Sequence, residues 1–349
     1  MNKNTVFFVL VCMALPLTGY AADEKAPKSA TEAAAAKAIQ EPGDIYRGTV
    51  FGAEKKNYEG TTLGEQKPNT KKYVYDTSLI RAIKINDPDR VRTLMYARID
   101  VNEKNYAGIA PLAIAAEKGN MEIIQLLVDT GKADVNDKSS YGITPLIAAA
   151  AMGRGNVIEY LVAHGADVNA KDDMGKTALL YAVNFDQPQA IESLIKEDNT
   201  AVNVPDSQGN APLIYASQRG LVNNVKMLLK YGADSNYRNP ISGLSALATA
   251  SAEGHNPVVR TLVKNGNADV NLPDNSGRTP LFYALENDKL ETFRTLLSLG
   301  ADINAQDICG VTPLHNAKSN LEIDSDEDEE IKIKYQELID YLISIGATE

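Results

Sequence analysis

The apolar positions along this chain keep a strict rhythm. One Leu recurs at Leu79, Leu112, Leu146, Leu179, Leu213, Leu247, Leu281 and Leu314, in steps of 33 or 34 residues. Three residues after each Leu stands an Ala: Ala82, Ala115, Ala149, Ala182, Ala216, Ala250, Ala284 and Ala317. An offset of three puts both side chains on one face of a helix. An Asn holds the same rhythm at Asn102, Asn136, Asn169, Asn203, Asn236, Asn271 and Asn304. A fixed period of this length marks a stacked repeat array, in which each unit buries its apolar face against its neighbours.

One unit shows the chemistry that repeats. In Gly277-Arg278-Thr279-Pro280-Leu281 the Gly permits a tight turn, the Thr is placed to cap a helix, and the Pro suits its first turn. Leu281 and Ala284 then fall on one face, and the small Ala lets a neighbouring helix come close. Phe293, Leu296 and Leu297 predict a second helix, which Gly300 ends with a left-handed cap. Ala301-Asp302-Ile303-Asn304 leads into the next turn.

These residues resemble the ankyrin repeat. The resemblance rests on Thr144-Pro145-Leu146, Thr279-Pro280-Leu281 and Thr312-Pro313-Leu314-His315, together with Gly165-Ala166-Asp167-Val168-Asn169, Gly232-Ala233-Asp234 and Gly300-Ala301-Asp302-Ile303-Asn304. It implies an all-α ankyrin-repeat solenoid of about eight helix-turn-helix repeats with short β-hairpin loops, over residues 77–349. Some units depart from the pattern. The first has Arg98-Ile99-Asp100 in place of Gly-Ala-Asp, which fits a capping unit with a more polar outer face. The fourth has Asn199-Thr200-Ala201 there, and the sixth has Leu244-Ser245-Ala246-Leu247 in place of Thr-Pro-Leu. In the eighth an acidic insertion near residues 319–331 stretches the unit, and the last helix is expected to resume near Ile333 to Ile343.

Residues 1–21 read as a signal peptide: Lys3, an apolar run from Val6 to Leu15, and Gly19-Tyr20-Ala21 before the cleavage point. Val11 argues against Cys12 as a lipidation site. Residues 22–76 have no clear period and read as a flexible N-terminal segment with contacts onto the first repeat. No Asn-x-Ser/Thr sequon occurs, which favours a bacterial source for an exported chain. The expected destination is the periplasm, with secretion as the alternative. No apolar run of the mature chain is long enough to form a transmembrane segment.

Composition narrows the chemistry. The formal net charge is −11, and Glu322 to Glu330 alone contributes seven acidic side chains. That balance argues against a nucleic-acid partner, which needs a basic face. With 2 Cys and 3 His, a Cys-rich zinc site is excluded by counting. Asp324, Asp326 and Asp328 have the opening spacing of a calcium loop. Glu329 stands where Gly belongs and Tyr335 where Glu belongs, so the motif fails. What remains there is a solvated acidic loop, a weak cation site or a dock for a basic partner. His164, His255, His315 and Cys309 read as structural, His315 in a hydrogen-bonding role. No nucleotide loop, nucleophile elbow or acid pair is recognisable, so no catalytic, cofactor-binding or metal-binding residue is assigned and the chain does not read as an enzyme.

In the family resembled, partners contact the hairpin tips and first helices on the concave side. Carried onto this register, that selects loop positions just upstream of each Leu and positions five and six residues downstream. Repeats two to four thereby place Tyr106, Ile109, Tyr141, Ile143, Met152, Met174 and Phe185 on one expected surface. Aromatic and Met side chains make interface anchors. The competing reading is that the N-terminal segment covers these residues, or that they pack between neighbouring hairpins. The expected function is a non-enzymatic protein-protein interaction module, monomeric or part of a hetero-complex. It would act as a scaffold or adaptor of an envelope complex; the alternative is an inhibitor or immunity protein that blocks an exported toxin or hydrolase.

Overall fold

The computed structural model describes residues 76–323 and 329–348. The expected signal peptide, nearly all of the N-terminal segment and the centre of the acidic insertion lie outside the described residues. The described chain is an all-α solenoid of paired helices. The first helices of the eight repeats are α1 (Ser78–Lys84), α3 (Pro111–Lys118), α5 (Pro145–Ala151), α7 (Ala178–Asn184), α9 (Pro212–Gln218), α11 (Ala246–Glu253), α13 (Pro280–Glu286) and α15 (Pro313–Ile323). The second helices are α2 (Pro88–Tyr96), α4 (Met121–Gln125), α6 (Gly155–Ala163), α8 (Pro188–Glu197), α10 (Val222–Lys230), α12 (Asn256–Gly266), α14 (Leu290–Ser298) and α16 (Glu329–Ser344). Each pair packs on the next, so first helices contact first helices and second helices contact second helices in two layers.

The periodic residues hold this frame. Every register Leu is at most 3% exposed and every register Ala is fully buried. An Ala at a helix crossing presents only a methyl group, which allows close approach. The Asn ladder ties successive loops together. The Oδ1 atoms of Asn136, Asn203, Asn236 and Asn271 accept the backbone N–H of Asp167, Asp234, Asp269 and Asp302 at 2.8 to 2.9 Å. The fourth repeat breaks the ladder where its loop lacks the Gly-Ala-Asp conformation of its neighbours. Residues Asn199–Asn203 form a 3-10 turn instead, and the buried Oδ1 of Asn169 is left without a partner among the described residues.

The second and sixth repeats each carry one residue more between the register Leu and the loop Ala (Leu112 to Ala133, Leu247 to Ala268). The second repeat absorbs it as a π turn over Leu126–Thr130, where the N–H of Gly131 donates to the Leu126 carbonyl at 2.9 Å. The sixth absorbs it as Asn267 in the left-handed conformation after α12. The acidic insertion is less of a loop than its composition implies. Helix α15 runs on to Ile323, and α16 begins at Glu329, four residues before the expected restart.

Helix capping is only partly as expected. The hydroxyls of Thr77, Thr144 and Thr177 and that of Ser245 accept the N–H three residues on. Thr279, which the sequence pattern places as a cap, makes no such bond, and its buried Oγ1 has no partner among the described residues. A distinct outcome follows for two chemically identical changes. Thr144→Ala is expected to cost about 1 kcal/mol. Thr279→Ala is expected to be neutral within about 0.5 kcal/mol, because removing an unpaired buried hydroxyl leaves no donor orphaned. Thermal unfolding of the two variants side by side checks this; equal losses would contradict the capping geometry.

Candidate functional site

Between one repeat and the next the chain folds into a short hairpin, and one residue organises each. In the fifth repeat Asp206 Oδ1 accepts the N–H groups of Gln208 and Asn210 at 3.0 and 2.9 Å. Asp172, Asp274 and Asp307 do the same work for their hairpins, and Asn239 in the sixth accepts the N–H groups two and three residues on. In the second and third the role falls to Asn105 and Ser139. The hairpin backbone closes with a bond from this residue's N–H to the carbonyl four residues on, such as Ser139 to Ile143 and Asp172 to Lys176. These loops are turns more than strands: the one isolated β-bridge among the described residues joins Arg238 and Ser245.

Three of the organising carboxylates have a second task. Asp172 Oδ2 accepts the Tyr181 hydroxyl and Asp206 Oδ2 the Tyr215 hydroxyl, each at 2.7 Å; Asp274 and Tyr283 repeat the pair. Burial, and then the adjacent carboxylate, push the Tyr215 and Tyr283 phenols well above their ordinary range, so they stay protonated donors. The bond therefore locks each hairpin onto the first helix that follows it. On that helix layer, burial raises the Glu286 carboxyl, opposed by the Arg278 guanidinium 3.1 Å away and a hydrogen bond from Asn316.

Neighbouring hairpins are also tied to each other. Asp173 N–H donates to the Tyr141 carbonyl, Ser207 N–H to that of Met174, and Ile308 N–H to that of Ser276. Lysines run along the hairpin stems: the Nζ of Lys104, Lys138 and Lys171 donate to the carbonyls of Lys138, Lys171 and Pro205. Gly175 shows how close the loops come. At φ +72 its backbone needs the left-handed region, and a Cβ there would sit 2.6 Å from the Ser207 nitrogen.

On this frame the tips carry large apolar side chains. Tyr106 is 58% exposed, Tyr141 47% and Met174 38%. The selection from sequence missed two more in the same line, Ile241 at 65% and Ile308 at 75%. Both stand six residues upstream of their register Leu, as Tyr106 does, so the register itself could have found them. Gln208 and Ser276 fill the tips of the fifth and seventh repeats.

Ile109 and Ile143 are corrections. They are 8% and 1% exposed and belong to the core, not to a surface. They sit on the returning side of the hairpin, where their N–H bonds to the organising side chain and the side chain faces the stack. Met152 and Phe185 lie half-buried at the C-caps of α5 and α7, and the Phe185 ring stacks on Tyr181 at 6.2 Å. The structure thus gathers Tyr106, Tyr141 and Met174 on the tips and sets the other four residues apart from them.

The histidines divide. His164 bonds the Tyr160 carbonyl through Nδ1 and lies 3.3 Å from Asp129, and His255 bonds the Gln218 carbonyl. The expected hydrogen-bonding role of His315 is not met. It is exposed, and its ring bonds none of the described residues. Cys309 is exposed on the last hairpin. Among the described residues no group of three His, Cys, Asp or Glu side chains could hold a metal ion, and no helix is long and apolar enough to cross a membrane.

The family model described as ankyrin repeats (3 copies) matches residues 79–172, 170–239 and 235–307. The B-cell lymphoma 3 protein homolog of Mus musculus is 28% identical over 239 residues, which is 68% of this chain and 46% of that protein. Transient receptor potential cation channel subfamily A member 1 of Homo sapiens is 31% identical over 42% of this chain and 13% of its own length. Rabankyrin-5 of Homo sapiens is 30% identical over 45% and 15%. The chain thus spans less than half the length of these relatives. The matched family is one of interaction modules and not a catalytic family. The period, the two helix layers and the family match across more than half of the chain agree: this protein belongs to the ankyrin repeat family.

Proposed function

We propose that this array is an exported, non-enzymatic module of the bacterial periplasm that holds one partner protein across its hairpin tips, as a scaffold or adaptor of an envelope complex. The observation that carries this is the line of exposed apolar tips, Tyr106, Tyr141, Met174, Ile241 and Ile308, on hairpins braced by bonds within and between repeats. A rigid tip loses little conformational entropy when a partner docks, so its apolar area converts into affinity. Export is supported by the leader pattern of residues 1–21, and a bacterial source by the absence of sequons.

Two experiments test the reading. Residues 1–30 fused to a phosphatase that is active only outside the cytoplasm should give activity, and Lys3→Glu with Leu10→Arg should abolish it; an inactive wild-type fusion counts against export. The mature chain on a column should retain one stoichiometric protein from envelope extract. Loss of that protein's catalytic or toxic activity on binding would identify the module as an inhibitor, and unaltered activity as a scaffold. Retention equal to that of a tip-serine variant counts against the tips.

A further inference from the structure

A cavity of about 330 Å³ lies away from the tips, in the outer layer between α2 and the π turn that follows α4. Met95, Ile99, Val101 and Leu126 give it an apolar lining, Gly131 stands in its wall, and the 81% exposed Tyr96 stands at its edge. The chain packs closely against Gly131: a Cβ there would come within 2.8 Å of the Leu127 carbonyl oxygen and 3.0 Å of Met95 Cε and Val101 Cγ1.

The backbone at this place is unusual in a consistent way. Among the described residues six non-glycine residues have positive φ. Four are Asn or Asp, which tolerate that region. The other two are Arg98 (φ 56) and Lys132 (φ 57). Arg98 lines the cavity and takes the place that Gly165, Gly232 and Gly300 hold in other repeats. Lys132, 34 residues later, follows the cavity-lining Gly131. A left-handed backbone costs a long side chain on the order of 1 kcal/mol that Gly does not lose. Neither position requires a cation for folding.

The surrounding charges are otherwise satisfied. Asp89 and Glu122 both pair with Arg92. Asp100 and Asp134 accept the N–H of Asn102 and Asn136, and Asp129 is held by Tyr160 and His164. Arg98 and Lys132 are exposed and pair with none of the described residues. We infer that this cavity is a binding site for a carboxylate carried on a short apolar body. The body fills the space over Met95, Ile99 and Leu126, and the carboxylate meets Arg98 and Lys132. The volume lies at the lower end for ligand pockets, which suits a single side chain or a short acyl chain. Two sources share this chemistry: the C-terminal residue of a polypeptide and a free fatty acid.

The test titrates the full mature chain with N-acetyl-Gly-Leu as free acid, with its amide, and with octanoate, followed by calorimetry and backbone amide shifts. Saturable shifts at residues 95–101 and 126–132 with either acid are expected. The amide should bind about tenfold more weakly, the loss expected for one charge-assisted hydrogen bond. Tighter binding of the peptide acid points to a polypeptide terminus, and tighter binding of octanoate to a fatty acid. Arg98→Gly should lose the preference for acid over amide while keeping or raising the unfolding temperature, so the loss is not one of folding. No saturable shift with either acid, equal binding of acid and amide, or an unchanged preference in Arg98→Gly would overturn the inference.

Discussion

Asp206→Ala is expected to destabilise the fifth hairpin by about 3 kcal/mol, because one substitution orphans three donors at about 1 kcal/mol or more each. The N–H groups of Gln208 and Asn210 lose their acceptor, and so does the Tyr215 hydroxyl. Asp206→Asn separates the two tasks of this side chain. The amide oxygen can still accept both N–H groups, much as Asn239 Oδ1 accepts those two and three residues on in the sixth hairpin. What is lost is the carboxylate for Tyr215, so the cost should fall to about 1 kcal/mol. A repeat array need not unfold in one step. The readout is therefore local: amide hydrogen exchange at Gln208 and Asn210 should speed up more than about a hundredfold in Asp206→Ala. Unchanged exchange there would show that the carboxylate does not organise the hairpin.

The second large effect concerns binding. Serine at Tyr106, Tyr141, Ile241 and Ile308 together should weaken partner capture by about a thousandfold, if two of the four act as anchors worth about 2 kcal/mol each. Stability should change by no more than about 0.5 kcal/mol per site, because these side chains are exposed. Serine at Ile333 and Ile343 is the control. These residues are 55% and 53% exposed on α16, off the tip line, and their loss should leave capture intact. Equal weakening by the two sets would mean that general surface hydrophobicity drives capture.

The frame was legible in the sequence because each of its functions is tied to a fixed offset. The register Leu and Ala make the core, and the Asn makes the ladder. The site was less legible, because a hairpin reverses direction within a few residues. Ile109 and Ile308 are the same residue type in the same kind of loop. One faces the stack at 8% exposure and the other stands out at 75%, and the offset from the Leu alone separates them. Ile109 and Ile143 were selected with the tips because they stand just upstream of the register Leu, and the structure turns that position into the stack. Thr279 has the capping residue type in the right place, and its backbone (φ −84, ψ 167) matches that of the capping Thr144 (φ −89, ψ 164), yet it lacks the bond, which leaves the side-chain rotamer to decide. The strain at Arg98 was half legible: the register puts Arg98 where Gly300 makes a left-handed cap, and the folded loop keeps that conformation despite the side chain.

The most direct measurement puts a photo-cross-linking phenylalanine in turn at Tyr106, Tyr141, Ile241 and Ile308, and at Ile333 and Ile343, in the living cell. An adduct with one and the same protein is expected from the tip positions and none from α16. Adducts from α16 but not from the tips, or tip adducts scattered over unrelated proteins, would contradict capture through the tips.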